Sequence, residues 1–329
     1  MNLKATLAVF VGLVLLLLIL YFSGAKEVIK TILNTNLTFF ALAALTFAFS
    51  VFLKSLRWKF FLKAIGFDVP YSHSFYSFNS ALLLSNLVPF KALEVMRGYF
   101  LKIKFGHSFS KTIPLVLTER ALDVFIYIFL SLITLQALMK FLSYQLTFFA
   151  FLGMLAFFLI SLSVLLIMNS KKLTLKFFRL MTKLPIIKKF SKKIEGMAKN
   201  FSIGFNQLKK SKLLFHILFF TFLIWIVEGI IFLLSAKSVG INLPFSFFAL
   251  PLISILLGAL TMIPGGLGSI EAIMVLLLTS LGFPIAQATS AVLIYRFFVH
   301  LCENSIGAIV LPSVYGSGIV KKVLSGKAF

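Results

Sequence analysis

Any chemistry in this chain has to come from a small set of charged side chains placed inside apolar sequence. Of nine Asp and Glu residues, six lie in such stretches (Glu94, Glu119, Asp123, Glu228, Glu271 and Glu303), and Arg97, Arg120 and Arg296 lie there too. An ionised side chain at the centre of a helix in lipid costs about 2.5 to 3.5 kcal/mol, so nine unpaired ones would cost on the order of 20 to 30 kcal/mol. These groups must therefore pair with one another or face water. Glu119 and Asp123 are four residues apart and share a helix face, which Arg120 borders. Two readings are open. One is a salt-bridge cluster that packs helices. The other is a polar cavity whose arginines bind a phosphate bidentately while the acids receive the cationic or hydroxylated part of a head group.

The run Pro264-Gly265-Gly266-Leu267-Gly268, followed by Glu271, is the second candidate. Its glycines either let helices approach closely, as small residues do in membranes, or they break the chain and start a new helix. In the second case the free backbone N–H groups would form an anion site at mid-membrane, with Arg296 one span later. Other chemistries lack their residues. Cys302 is the single cysteine, and His73, His107, His216 and His300 are scattered with no HExxH spacing. Ser/His/Asp triads, phosphate-binding P-loops and GxSxG elbows are absent. No catalytic residue, metal or cofactor is expected.

The elements that must hold these residues follow from composition. The 329 residues are 60% hydrophobic and 12% charged, with 41 Phe. Soluble domains carry about 25% charged residues, so the solvent here is lipid. A span of a hydrocarbon core needs about 20 apolar residues. The chain holds about six of these and leaves no room for a folded catalytic domain outside the membrane. The first membrane half, 1–169, contains spans at 7–22, 36–53, 112–139 and 147–168. Ser23-Gly24-Ala25 resembles a signal-peptidase site, but the preceding run is longer than a signal core of about 7 to 15 residues and reads as an uncleaved span. Residues 78–101 are too polar for a plain span and too apolar for a loop, and so predict a re-entrant hairpin with its tip near Pro89. Lys54, Arg57, Trp58, Lys59 and Lys63 read as the basic and aromatic flank of a cytoplasmic interface.

Residues 170–212 hold 13 Lys/Arg against the single Glu195. Ile187, Phe190, Ile194, Met197, Phe201, Phe205 and Leu208 recur at steps of three and four, one stripe of an amphipathic helix that lies on anionic lipid headgroups or caps the bundle. The second half, 213–329, has a span at 213–236, a broken hairpin at 243–281, a span at 286–311 and a basic tail. Alternation of spans puts 24 Lys/Arg on the side of the 170–212 segment and both termini, and only Lys26, Lys30, Lys140 and Lys237 opposite. That asymmetry predicts a cell-membrane protein with both termini cytoplasmic. The net charge of +23 then belongs to cytoplasmic loops, and no nucleic-acid partner is expected.

The halves also resemble each other. Proline to arginine is 31 residues from Pro89 to Arg120 and 32 from Pro264 to Arg296. The charge count makes the first hairpin enter from the cytoplasm and the second from outside, so the halves would be inverted repeats, the architecture of alternating-access transporters.

The segment Pro264 to Glu271, with Arg296 downstream, resembles the PGGlGxxE signature of the lysylphosphatidylglycerol synthase transmembrane family, also called flippase-like integral membrane proteins. Thr118-Glu119-Arg120-Ala121-Leu122-Asp123 looks like its ERxxD element, and Arg57-Trp58 like the pair after its second span. The resemblance covers nearly the whole chain. In the first hairpin Pro89 to Arg97 keeps the charges of the family's Pro-Gly-Arg-x-Gly-Glu-x-x-Arg pattern, at Lys91, Glu94 and Arg97, but loses both glycines. The resemblance implies movement of a polar-headed lipid between leaflets, an aminoacylated phospholipid or a polyprenyl-phosphate-linked sugar. In bifunctional relatives synthesis belongs to a separate soluble domain after the membrane part. The expectation is therefore an all-α polytopic membrane protein with two re-entrant hairpins, acting as a lipid flippase. Its lipid site would hold Glu94, Arg97, Glu119, Arg120, Asp123, Pro264, Gly265, Gly266, Gly268, Glu271 and Arg296. The rival is a membrane-embedded transferase acting on a lipid acceptor. A homo-oligomer is compatible with either.

Overall fold

Long apolar runs have no periodic polar face, so the helices they form must bury their surface against one another or against lipid. The computed structural model describes residues 3–86, 93–170, 172–176, 191–261, 263–316 and 318, and among them it is helical throughout, with no strand. Five helical stretches are long and apolar enough to cross a membrane: Leu37–Ala64, Phe109–Leu138, Thr147–Asn169, Leu214–Ser238 and Ile285–Tyr315. A sixth is formed if the bent pair Phe10–Phe22 and Ala25–Leu33 counts as one span. The chain is a polytopic all-α membrane protein. Its outward surface fits lipid, with Leu17, Phe129, Phe149 and Ile309 all more than half exposed.

In chain order the helices are α1 (Leu3–Phe22), α2 (Ala25–Leu33), α3 (Leu37–Ala64), α4 (Tyr71–Ser85), α5 (Met96–Phe105), α6 (Phe109–Leu138), α7 (Tyr144–Asn169), α8 (Ser191–Lys210), α9 (Leu214–Ser238), α10 (Leu250–Ala259), α11 (Ser269–Ser280), α12 (Ile285–Arg296) and α13 (Glu303–Tyr315). α3 packs along α9, α6 along α7 and α8, and α13 along α4. The core between α3, α6, α9 and α12 is largely aromatic and branched, with Tyr127, Trp225, Phe232 and Tyr295 in one buried cluster. The Tyr127 and Trp225 rings meet edge to face at 4.3 Å.

Several elements differ from the sequence reading. The chain after the first span is helical, turning by 84° at Ser23-Gly24 into α2. Gly24 takes a left-handed φ of 73° there, and Ser23 Oγ lies 2.7 Å from Thr289 Oγ1, which ties the bend to α12. α3 does not stop at Leu53 but continues to Ala64, and Lys54, Arg57 and Trp58 are buried. They are interior residues rather than an interface flank, which removes two charges from the cytoplasmic count without reversing its sign. α4 starts at Tyr71, seven residues before the expected hairpin, and among its buried serines Ser77 and Ser85 find hydrogen-bond partners inside the bundle. Ser77 Oγ donates to the Ser74 carbonyl at 3.2 Å and accepts from Trp58 Nε1 at 3.2 Å. The expected tip at Pro89 lies outside the described residues.

The basic helix packs against α6 and α7. α8 packs its stripe residues Phe201, Phe205 and Leu208 inward, the two phenylalanines against Met168 with Ile113 and Leu117. Its lysines Lys199, Lys209 and Lys210 are exposed. Ile187 and Phe190 of that stripe lie outside the described residues. The last span is one long helix in sequence but contains a π-helical turn, Phe297–Cys302, between α12 and α13, a feature frequent at functional sites.

Candidate functional site

Among the described residues, three ion-pair networks occupy the interior. The first is built on Glu119, four residues before Asp123 on one face of α6. Glu119 Oε1 receives Arg57 Nη2 at 2.7 Å and Arg120 Nη2 at 2.9 Å, and Oε2 receives Arg97 Nη1 at 2.7 Å. Asp123 receives Arg57 Nη1 at 2.6 Å, Arg120 Nη2 at 2.9 Å and the Trp225 indole N–H at 2.7 Å. Glu94, in a single 3₁₀ turn before α5, pairs with Arg120 Nε at 3.0 Å and Arg97 Nη2 at 3.3 Å. Arg97 is held further by cation–π contact, its Cζ lying 4.2 Å from the centroid of Phe78 and 5.2 Å from that of Trp58.

The network contains three arginines and three carboxylates, so its formal charge is zero. That answers the cost of burying ions in lipid: each carboxylate meets at least two guanidiniums, and the fork geometry of arginine serves two acids at once. Saturation is incomplete at one edge. Both Glu94 oxygens, Arg97 Nη2 and Arg120 Nε are buried with no well-aligned hydrogen bond among the described residues. The Arg120 side chain is 28% exposed, whereas those of Arg57 and Arg97 are 1% and 0%. Arg120 is thus the accessible member of an otherwise closed cluster.

The second network joins three helices. Lys54 Nζ of α3 lies 2.8 Å from Glu228 Oε1 of α9 and 2.9 Å from Glu303 Oε1 of α13, and Ser50 Oγ donates to Glu228 Oε1 at 2.5 Å. The third pairs Arg296 Nε at the end of α12 with Glu271 Oε1 in the first turn of α11, at 2.5 Å. Arg296 Nη2 also donates to the Gly265 carbonyl at 3.1 Å, while Glu271 Oε2 is buried without a hydrogen bond among the described residues. With 11% of its side chain exposed, Arg296 is again the more open partner.

Pro264–Gly266 forms a 3₁₀ turn between α10 and α11. Gly265 has φ +65°, and a Cβ there would stand 2.9 Å from His300 Cε1 and 3.6 Å from the Asn86 carbonyl oxygen. Asn86 itself closes α4 and donates from Nδ2 to Asn304 Oδ1 at 2.7 Å. The broken stretch of the second half therefore touches the end of α4, where the first begins. Gly268, with φ +77°, is packed on α1, where an added Cβ would meet the Gly12 carbonyl oxygen at 2.6 Å. Close approach and left-handed backbone thus coincide in this run.

The eleven residues grouped from sequence divide in space. Glu94, Arg97, Glu119, Arg120 and Asp123 come together in the first network. Gly265, Glu271 and Arg296 form the third, and Pro264, Gly266 and Gly268 shape the turn that carries it. Arg120 and Arg296 sit in different networks. Arg57, Lys54 and Trp225 were missed as site residues. Ser50, Lys54 and Arg57 recur at steps of four and three, a single helix face, and that periodicity was the available signal.

Apolar helices around internally paired charges define a multi-pass membrane protein with a polar interior, and sequence comparison places it more closely. Residues 6–301 match the family described as the lysylphosphatidylglycerol synthase TM region, and the chain belongs to that family. It is similar to a UPF0104 membrane protein of Pyrococcus horikoshii, 24% identical over 94% of this chain and 96% of the relative. A UPF0104 membrane protein of Methanocaldococcus jannaschii is also 24% identical, over 94% of each chain. A phosphatidylglycerol lysyltransferase of Staphylococcus haemolyticus is 31% identical over 106 residues, which are 32% of this chain and 13% of that protein.

Proposed function

We propose that the protein is a lipid translocase, moving a lipid with an anionic or aminoacylated polar head between leaflets by alternating access. One observation carries this reading: a neutral network of three arginines and three acids sits inside apolar helices with Arg120 as its accessible edge. Glu119 lies ten residues into α6, about 15 Å from the start of the helix at about 1.5 Å per residue, so the network lies well below the end of its helix. A phosphate entering at Arg120 would compete with the acids for that guanidinium and bring one negative charge into the neutral network, and Glu94, whose oxygens lack aligned donors, is placed to receive the cationic amino group that offsets it or a hydroxyl group of the head. The two halves as inverted repeats, with termini and α8 cytoplasmic, supply the two-sided access this requires.

The rival is a transferase acting on a lipid acceptor, and the similarity to a phosphatidylglycerol lysyltransferase favours it as the second reading. Purified protein in proteoliposomes separates the two. A translocase speeds leaflet exchange of a labelled anionic or aminoacylated phospholipid and forms no new lipid species. Incorporation of label from aminoacyl-tRNA or an activated sugar into lipid, with no effect on exchange, would reverse the ranking.

A further inference from the structure

The three networks differ in charge. The Glu119 network sums to zero and the Arg296–Glu271 pair sums to zero, but Lys54 faces two carboxylates, so with both ionised this cluster carries one uncompensated negative charge. All three side chains are 9% exposed or less. Among the described residues no neighbouring element supplies the missing cation. Arg57, one turn further along α3, is committed to Glu119 and Asp123, and Arg296 to Glu271. Tyr127 of α6 and Tyr295 of α12, buried nearby, are neutral phenols. The helix α4 that packs along α13 has no charged residue between Ser74 and Ser85. His300 and Cys302 lie in the π turn before Glu303, the histidine against Gly265, and Lys199, Lys209 and Lys210 of α8 are exposed.

We propose that Lys54, Glu228 and Glu303 form a proton-binding site that couples movement of the lipid to a proton gradient. This rests on the translocase reading for its consequence, though not for its chemistry. A proton from water at one membrane face forms an O–H bond on one carboxylate, leaving the other paired with Lys54 and the cluster neutral. Breaking that bond releases the proton and restores the negative charge. Protonation frees Lys54 from one of its two partners, and those partners stand on different helices, α9 and α13. Gain and loss of the proton thus change which helix α3 is tied to. This is the kind of two-state contact that a transport cycle has to bias. Because α3 belongs to the first half and α9 and α13 to the second, the contact lies between the two halves.

The site can be read without transport. Infrared difference spectra of the purified protein across a pH titration should show the C=O stretch of one protonated carboxyl group in the wild type. Glu228→Gln and Glu303→Gln should each abolish it, because Lys54 and the remaining glutamate already balance. Lys54→Gln should enlarge it, because two buried carboxylates then need protons. Asp68→Asn, at an exposed loop residue, should leave it unchanged. No such band in the wild type, or a band that survives in both glutamine variants, overturns the proton site, and so does a Lys54→Gln variant with no increase. In proteoliposomes a pH gradient should speed lipid exchange by the wild type and lose that effect in both glutamine variants. A band that behaves as expected beside exchange that ignores the gradient overturns the coupling. Wild-type protein that moves no lipid at all refutes the translocase reading and leaves the proton site standing.

Discussion

Replacing Arg120 by lysine separates binding from packing. Arg120 reaches Glu94 through Nε at 3.0 Å, and Glu119 and Asp123 through Nη2, each at 2.9 Å. Lysine keeps the charge but has one ammonium in place of a fork, so it cannot hold Glu94 and the α6 acids while also meeting a phosphate. With 28% of the side chain exposed, the loss of packing energy is screened and amounts to about 1 kcal/mol or less. A lost charge-assisted contact to the lipid costs about 1.5 to 3 kcal/mol, or roughly 10- to 150-fold in exchange measured at subsaturating lipid. Arg57 is the internal control, with 1% exposure and both terminal nitrogens on acids. Arg57→Met strands buried carboxylates and should cost about 3 to 5 kcal/mol of stability. The assay pairs thermal unfolding in detergent with exchange of a fluorescent phospholipid in proteoliposomes. Arg120→Lys with full exchange, beside an unstable Arg120→Ala, would show that the arginine only packs helices and would refute the binding role.

Trp225→Phe removes the indole donor to Asp123 but keeps an aromatic ring edge to face with Tyr127, and should lower stability by about 1.5 to 3 kcal/mol, read by thermal unfolding. Gly268→Ala places a Cβ 2.6 Å from the Gly12 carbonyl oxygen at φ +77° and should destabilise by about 1 to 2 kcal/mol, an effect that Gly196→Ala, which meets nothing within 4 Å, should not show. In a Cys302→Ser background, Lys199→Cys should be labelled only from the cytoplasmic side and Lys237→Cys only from outside; the reverse pattern would remove the charge-based topology. Burial lowers the pKa of His107, whose ring stacks on Phe67 at 4.1 Å between α5 and α6. The unfolded chain therefore takes up that proton first, so stability present above the ordinary histidine range falls as pH drops below it. His107→Gln should flatten that acid limb in a melting curve.

Membrane class, approximate spans and the identity of most buried charges were legible in the sequence because each is local. Continuous apolar runs of about 20 residues have no stable place but lipid, and an ionisable residue within them marks itself by its cost. The family signature at Pro264 to Glu271 was likewise contiguous. Partner choice was not local. Glu119 could be recognised as buried, but that Arg57 and Arg97, 62 and 22 residues away, both meet it depends on how α3 and α5 dock on α6. The reading of Lys54 and Arg57 as an interface flank failed for the same reason. A basic residue at the end of an apolar run looks identical from sequence whether the helix stops there or continues among helices that supply acids. Only the fold set Glu228 of α9 and Glu303 of α13 on either side of Lys54, and with them the one interior cluster among the described residues whose charges do not balance.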